Sequence, residues 1–521
     1  MLNRFKNGWI PKALLVLLGF ALLASVELGL RLSGFGDEYE FVIESPEHPG
    51  KRSLNSQYIA LHYFHHLPIR LGTLFRKDPW FPDTQYSAKK PPGTYRIFLV
   101  GASTTRGFPF SSRDTSYSGF LRKILADVLP DHPVEIINAG YDAISSFGVL
   151  DVTRQLIDQE PDLIIVYSGH NEFIGHFGVN SNFGFASNPT VVDWIIKLHQ
   201  SKIFLLEELL VLKLKSFKKE KASGENSVNL FKVMLNDKNF SWDREGHEKS
   251  EKNFANNIRH IGELGQDHQV PIIFSTLVSN LSDFSPVQSS FDPQTTEDSQ
   301  KAYFVSFKGG QEAFKANRLK EASALYGKAV QLDPTYAQGH YEFGKVLVKQ
   351  SNFPEARKEF LLAREMDRVH LRACLKFNRI IRSMDNGKDL RVIKMGDEFE
   401  RASKNRLIGN NLFLEHVHPN INGHLLMANE IAHFLSDNNY IEAKKDWHWE
   451  KVRKAADYVG ESGFNKKEYV NSQTTVGRLL LDFPFFKCDE GVAILKTVNA
   501  ERGESKMIQQ CREIEEQDID H

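Results

Sequence analysis

Cysteine is nearly missing from this chain of 521 residues, which carries only Cys374, Cys488 and Cys511. The odd count argues against a disulfide framework and the spacing fits no zinc motif, so free buried thiols are expected. A charge bias is missing as well. With 65 basic and 66 acidic residues the formal net charge is −1, which leaves no electrostatic case for a nucleic acid or another polyanion as partner. Long hydrophobic runs are absent but for one. Ala13 to Leu30 is apolar apart from Ser25 and Glu27, follows Arg4, Lys6 and Lys12, and closes on Arg31. Its length lies near the lower end of the roughly 17–25 residues that span a bilayer. Basic residues on its N-terminal flank favour a cytoplasmic N-terminus with the bulk of the chain translocated. A retained single-pass anchor is expected, with most of the protein periplasmic or extracellular; a signal peptide cleaved near Ala24 is the rival. No cysteine follows the run, which excludes a lipoprotein anchor. Glu27 is the weak point of the span, although it lies near the outer end where a carboxylate can reach the interface.

Residues 34–92 form a lead-in rich in His, Pro and aromatic residues (His62, His65, His66, Trp80, Pro91, Pro92) with no long periodic segment. From Tyr95 the pattern turns to strand, turn and helix. Short apolar runs at Ile97–Val100, Val134–Ile137, Leu163–Tyr167 and Pro271–Leu277 read as buried strands, with a weaker one at Leu390–Met395 that Arg391 and Lys394 interrupt. Between them, Tyr117, Phe120, Leu121, Ile124, Leu125 and Val128 recur at helical spacing, as do Phe147, Leu150 and Leu156, and Phe254–Leu264. Further helices are expected at Ile203–Leu214 and His424–Phe434. This alternation predicts a parallel sheet with helices on both faces. The basic run Lys213–Lys221 reads as a solvated helix end. Beyond 440 the chain is charged and helical in pattern, with Trp447 and Trp449 near its start, and no chemistry is assigned to it.

A different texture begins near 300. Gly310, Ala322, Tyr326, Ala329 and Asp333 recur 34 residues later as Gly344, Ala356, Phe360, Ala363 and Asp367, and Pro334 follows the first Asp. Over 303–368 this strongly resembles the tetratricopeptide repeat, a helical hairpin with small residues where its helices cross. The first repeat departs from the pattern at Gly309, where a large apolar residue is expected. Two repeats are fewer than the three usually needed to stand alone, so they are expected to pack on their host.

Four short strings carry the chemistry: Gly101-Ala102-Ser103-Thr104, Asn138-Ala139-Gly140, Gly169-His170-Asn171 and Glu415-His416-Val417-His418. The first three each follow an apolar strand run, where open α/β sheets build their sites. Together they offer a hydroxyl nucleophile, a backbone N–H donor, an amide donor and a base with a carboxylate behind it. Taken singly, Ser103 also fits a helix cap and Asn171 a turn. His416, His418 and His424 raise a metal possibility, but no acidic or cysteine cluster is seen to complete a zinc shell, so no metal and no cofactor is expected. His170 and Glu172 are expected to shape the pocket.

In their order along the chain these strings resemble the SGNH, or GDSL-type, serine hydrolase family. The resemblance implies an α/β, flavodoxin-like parallel sheet sandwiched by helices, here with an all-α tetratricopeptide insertion and an N-terminal transmembrane helix. It implies Ser103 as nucleophile, His418 as base and Glu415 as the carboxylate behind it. The oxyanion donors would be the N–H groups of Ser103 and Gly140 and the amide of Asn171. Gly140 is read as glycine because a side chain would crowd the acyl group. The chain departs from the family at Ala102, in place of an acid, and at Glu415, in place of Asp; Ser103 and His418 acting as a dyad is the alternative. The units are then 1–33 (cytoplasmic tip and anchor), 34–92 (irregular lead-in), 93–300 (first part of the hydrolase), 301–370 (repeat insertion), 371–440 (last part of the hydrolase) and 441–521 (helical extension). The expected function is a membrane-anchored esterase acting on an ester outside the cytoplasm. The alternatives are an O-acyl(acetyl)transferase of envelope polysaccharide using the same site, or a non-enzymatic scaffold. An ester or acylated glycan would be the substrate and the repeats would offer a surface to a protein partner.

Overall fold

Strand runs apolar on both faces must be covered on both, and the computed structural model, described for residues 9–45, 48–64, 84–179, 188–217 and 244–519, shows how. Five strands, β4 (Tyr95–Gly101), β5 (Val134–Gly140), β6 (Leu163–Tyr167), β7 (Ile272–Ser275) and β8 (Leu390–Ile393), form one sheet in the order β5-β4-β6-β7-β8. All neighbours are parallel. Ranked by first appearance the order is 2-1-3-4-5, the flavodoxin-like arrangement, with its switch point at the first strand. The connections from β4 to β5 and from β5 to β6 run in opposite directions across the sheet. Right-handed crossovers therefore put their helices, Tyr117–Val128 and Ser146–Leu156, on opposite faces. Helix Ile421–Asp437 packs beside the first of these and Arg244–Asp267 beside the second. Ile97, Phe98, Leu99, Leu163, Ile164, Ile272 and Ile273 are all buried, so the expected α/β sandwich is present.

The lead-in departs from the expectation of irregular chain. Strands β1 (Val42–Glu44), β2 (Lys51–Leu54) and β3 (Thr84–Ser87) pair antiparallel in a small sheet, joined by helix Ser56–Phe64. It is fastened to the large sheet by Thr84 Oγ1, which donates to the Asn138 carbonyl at 3.1 Å. Arg4, Lys6, His65, His66, Trp80 and the 218–221 end of the basic run lie outside the described residues.

Helix Trp9–Leu32 holds an apolar stretch, Leu14–Leu32, long enough to cross a membrane and not buried against the protein. Glu27 has a structural use. Its carboxylate accepts the N–H groups of Lys202 and Ile203, both at 3.0 Å, and the Ser201 hydroxyl at 2.8 Å. It thereby caps helix Lys202–Phe217, two orphan donors being satisfied by a charged acceptor.

The repeats are four helices, Glu297–Lys315, Leu319–Leu332, Ala337–Lys349 and Phe353–Glu365. Gly310 lies under the Tyr326 ring and Gly344 under the Phe360 ring, where a Cβ would stand 3.1 and 2.8 Å from ring carbons. The 34-residue recurrence is thus a recurrence of close helix crossings. Each repeat ends on an Asp that grips the host. Asp333 accepts the Asp292 N–H at 3.0 Å, and Asp367 accepts those of Val287 and Gln288. Tyr341, Phe360 and Ala363 also share a core with Leu281 and Leu407 of the host. Deleting 303–368 is therefore expected to expose that core and lower the thermal unfolding midpoint or prevent folding, read by calorimetry and limited proteolysis. An unchanged midpoint would make the repeats a detachable module.

The C-terminal extension corrects the cysteine expectation. Cys488 and Cys511 form a disulfide, Cα atoms 5.9 Å apart, tying helix Cys488–Thr497 to the last helix, Ser505–Ile519. Only Cys374 is a free, buried thiol. The pairing depends on two helices folding back on each other, which the odd count and spacing do not reveal.

Candidate active site

Gly101 on β4 is in register with Gly140 on β5 and Tyr167 on β6. The first three strings therefore leave three adjacent strands at one edge of the sheet. Glycine at these ends answers to backbone packing. A Cβ on Gly101 would meet Thr105 Oγ1 at 2.1 Å and the Tyr167 carbonyl at 2.3 Å; one on Gly140 would meet the Arg106 backbone nitrogen at 2.2 Å. The reason expected for Gly140, crowding of an acyl group, is thus replaced by another: the turn of helix that carries Ser103 rests directly on it.

Ser103 opens the four-residue helix Ser103–Arg106, and the N-cap position belongs to Ala102, so Ser103 is not the cap. Its backbone N–H is one of the first-turn donors that have no acceptor inside a helix. Its hydroxyl lies 2.8 Å from His418 Nε2. His418 Nδ1 is hydrogen-bonded to Glu415 Oε1, and the same carboxylate accepts the backbone N–H of His418 at 2.9 Å and of His416 at 2.7 Å. The turn Glu415–His418 is self-bracing: the carboxylate that orients the imidazole also holds the backbone that carries it. Thr104 Oγ1 donates to the Val417 carbonyl at 3.3 Å and ties this turn to the Ser103 helix. The structure thus brings Ser103, His418 and Glu415 together in one hydrogen-bonded chain.

The two other expected oxyanion donors, at the end of β5 and just after β6, are engaged. Gly140 gives its N–H to Asn138 Oδ1 at 2.9 Å, so an oxyanion would have to displace that bond. Asn171 donates through Nδ2 to the Ile144 carbonyl at 3.1 Å, which leaves one of its two amide hydrogens for another acceptor. Gly169, with φ of 142°, adopts a backbone that side chains rarely take and turns the chain toward Asn171. Asn138 itself was missed in the sequence. Its Nδ2 donates to the Thr105 carbonyl at 2.6 Å and to Ser118 Oγ at 2.8 Å, pinning the far side of the Ser103 helix.

The electrostatics favour a neutral His418 imidazole. Burial pushes the His418 imidazole down to about 3, with Asp142 opposing the shift and Arg106 adding to it. Arg106 and Asp142 form a largely buried ion pair at 2.7 Å. Phe108 neighbours both Arg106 and His418, its ring 4.5 Å from the imidazole and 5.6 Å from the Arg106 guanidinium carbon. No feature of the strings pointed to these three residues.

His170 and Glu172 are anchors. His170 Nδ1 accepts the Ala373 N–H at 3.2 Å, just past the repeats. Glu172 accepts the N–H and hydroxyl of Ser146 at the start of helix Ser146–Leu156, and burial pushes its carboxyl up to about 7. His424 is a core residue that accepts the Tyr117 N–H at 3.3 Å. Among the described residues one cluster has donor atoms close enough for a metal, all within 4.8 Å: Glu415, His416 and His418. Glu415 thus supplies the acidic member not anticipated for a shell here, but a metal would compete for the carboxylate and imidazole atoms that orient the base toward Ser103.

The extension beyond 440 also reaches the site. Phe485 packs on the His416 ring at 5.0 Å, and Glu468 accepts both the N–H and the hydroxyl of Ser111 at 2.6 Å, fixing the loop after Phe108.

A family model described as TPR repeat matches residues 310–351. No curated protein matches the sequence. Among solved structures, the chain is similar to a GDSL-like lipase from Bacteroides thetaiotaomicron, at 10% identity and a TM-score of 0.28, over 66% of this chain and 88% of that one. It is likewise similar to an acetylxylan esterase from Geobacillus stearothermophilus, at 11% identity and a TM-score of 0.28, over 66% and 94% of the two chains. Likeness at this level carries no weight for the site, whose reading stands on its own geometry.

Proposed function

We propose that this chain is a serine esterase, held to a membrane by its N-terminal helix and acting on an ester outside the cytoplasm. One observation carries the reading: Ser103 Oγ at 2.8 Å from a buried His418 whose other nitrogen faces Glu415. Ser103 Oγ attacks the ester carbonyl carbon as its proton passes to His418 Nε2. The carbonyl oxygen takes up the negative charge and is met by the Ser103 N–H and the free hydrogen of the Asn171 amide. Collapse breaks the bond to the alcohol, which leaves with the proton from His418. A water then repeats the sequence on the acyl-enzyme and frees the acid and the serine. The same acyl-enzyme given to a sugar hydroxyl instead of water is the transferase alternative. The apolar N-terminal helix supports the anchor, and the Cys488–Cys511 disulfide supports an oxidising compartment.

Labelling with an active-site fluorophosphonate tests this directly. Native protein is expected to take up one equivalent and Ser103→Ala none. Equal labelling of both would remove Ser103 from the reaction.

The depressed His418 imidazole fixes the sign of the pH dependence. A base must be unprotonated to accept a proton, and a lowered pKa keeps it so as the pH falls. The acid limb of kcat/KM is therefore expected below the ordinary histidine value of about 6.5, with activity retained at pH 5.5. A half-maximal point at or above 6.5 would mean that the Glu415 carboxylate beside Nδ1 outweighs burial in setting the imidazole.

A further inference from the structure

Helix Pro189–His199 has two apolar faces. Val192 and Ile196 are buried against the core, while Val191, Trp194 and Leu198, one turn apart on another side, are 45%, 65% and 52% exposed. The next helix, Lys202–Phe217, also exposes apolar side chains, Leu210 and Val211. Solvent-facing apolar residues grouped in this way mark an interaction surface, and what fixes its occupant is the attachment of the corner between the two helices. That corner is bound to the N-terminal helix through Glu27, which accepts from Ser201, Lys202 and Ile203, and through Arg31, which donates to the Gln200 carbonyl at 3.3 Å. On the other side Gln200 donates to Asp151 Oδ1 at 3.2 Å, in the hydrolase core.

The depth of this attachment decides what the patch meets. Glu27 stands five residues before Leu32, the end of the apolar stretch, which is about 7.5 Å along a helix at 1.5 Å per residue. The 19 residues Leu14–Leu32 have little length to spare across a hydrocarbon core of about 30 Å. A corner bound at Glu27 therefore sits no higher than the lipid headgroup level. We propose that helices Pro189–His199 and Lys202–Phe217 lie in the outer membrane–water interface, with Val191, Trp194, Leu198, Leu210 and Val211 set into the lipid surface beside the anchor. This inference rests on the anchor reading given above. It adds that the hydrolase is seated on the bilayer in a fixed orientation through the Glu27–Ser201 and Arg31–Gln200–Asp151 connections, and is not swinging on a tether. An interfacial tryptophan with aliphatic neighbours suits that level.

The test places a spin label at single introduced cysteines in the full chain, reconstituted in phosphatidylethanolamine–phosphatidylglycerol vesicles. The one free native thiol among the described residues, Cys374, is buried. Collision with oxygen reports lipid and collision with a water-soluble nickel chelate reports solvent. At Trp194→Cys and Leu210→Cys oxygen collisions are expected to predominate. At Val305→Cys, 74% exposed on the first repeat helix, the nickel chelate should predominate. A label at Leu18→Cys separates the two readings. Lipid at Leu18 with water at Trp194 and Leu210 overturns the interfacial helices and leaves the anchor standing. Water at Leu18 overturns the anchor and this inference with it. Dipolar broadening at Trp194, with neither probe reaching it, would mean that a second copy covers the patch, and would also overturn the proposal.

Discussion

Ser103→Ala and His418→Ala are each expected to lower kcat for ester hydrolysis by about six orders of magnitude, and the double variant to lose no more. Nucleophile and base act in one step, so removing either removes the step, and what survives is binding and the oxyanion donors. In the proposed mechanism the pair is inseparable, since the hydroxyl has His418 Nε2 within 2.8 Å to take its proton. Neither change should unfold the protein, because the strands and the Thr104–Val417 hydrogen bond that join the two segments remain. Asn171→Ala is expected to cost less, about 10²–10³, since one oxyanion donor among others is lost. Steady-state rates on an activated ester, with circular dichroism as the control for folding, read all four variants. Turnover by Ser103→Ala at more than a thousandth of the native rate would sink the proposed mechanism.

The parts of this molecule that were legible in the sequence are those whose physics is local or periodic. Runs such as Ile97–Val100 and Leu163–Tyr167 announce central strands because both of their faces are buried. The repeats announce themselves because Gly310 and Gly344 each admit an aromatic ring from the paired helix. The site strings were legible because a parallel sheet delivers all its strand ends to one edge. What was not legible depends on the approach of distant segments. Strands β1–β3 are three or four residues long, and β2 begins Lys51-Arg52-Ser53, so neither length nor alternation marks them. Cys488 and Cys511 pair only after two tail helices fold back together. Asn138 sits in a string singled out for its glycine, yet its side chain bridges β5 to the Ser103 helix. Glu27 looked like a flaw in an apolar run until the N-terminus of another helix was found on it.

Glu415 stands where the GDSL-type pattern that the sequence resembles has Asp, and its substitution yields the second large expected effect. The carboxylate is fully buried and is met by four groups: the Nδ1 atoms of His416 and His418 and the backbone N–H groups of the same two residues. It thereby holds the proton on Nδ1 and leaves Nε2 bare to receive the Ser103 proton. Glu415→Gln keeps the shape but can turn its amide NH₂ toward Nδ1, which moves the ring proton to Nε2, where it blocks the base. A loss near 10⁴ in kcat is expected, as for a triad base held in the wrong tautomer. Glu415→Ala should lose as much activity and also destabilise the fold, because two buried N–H groups lose their acceptor at about 1–3 kcal/mol each. Comparing the two variants by rate and by thermal unfolding separates orientation from packing. A fall of less than about tenfold in Glu415→Gln, with the fold intact, would reduce the triad to a Ser103–His418 dyad and leave Glu415 a brace for its own turn.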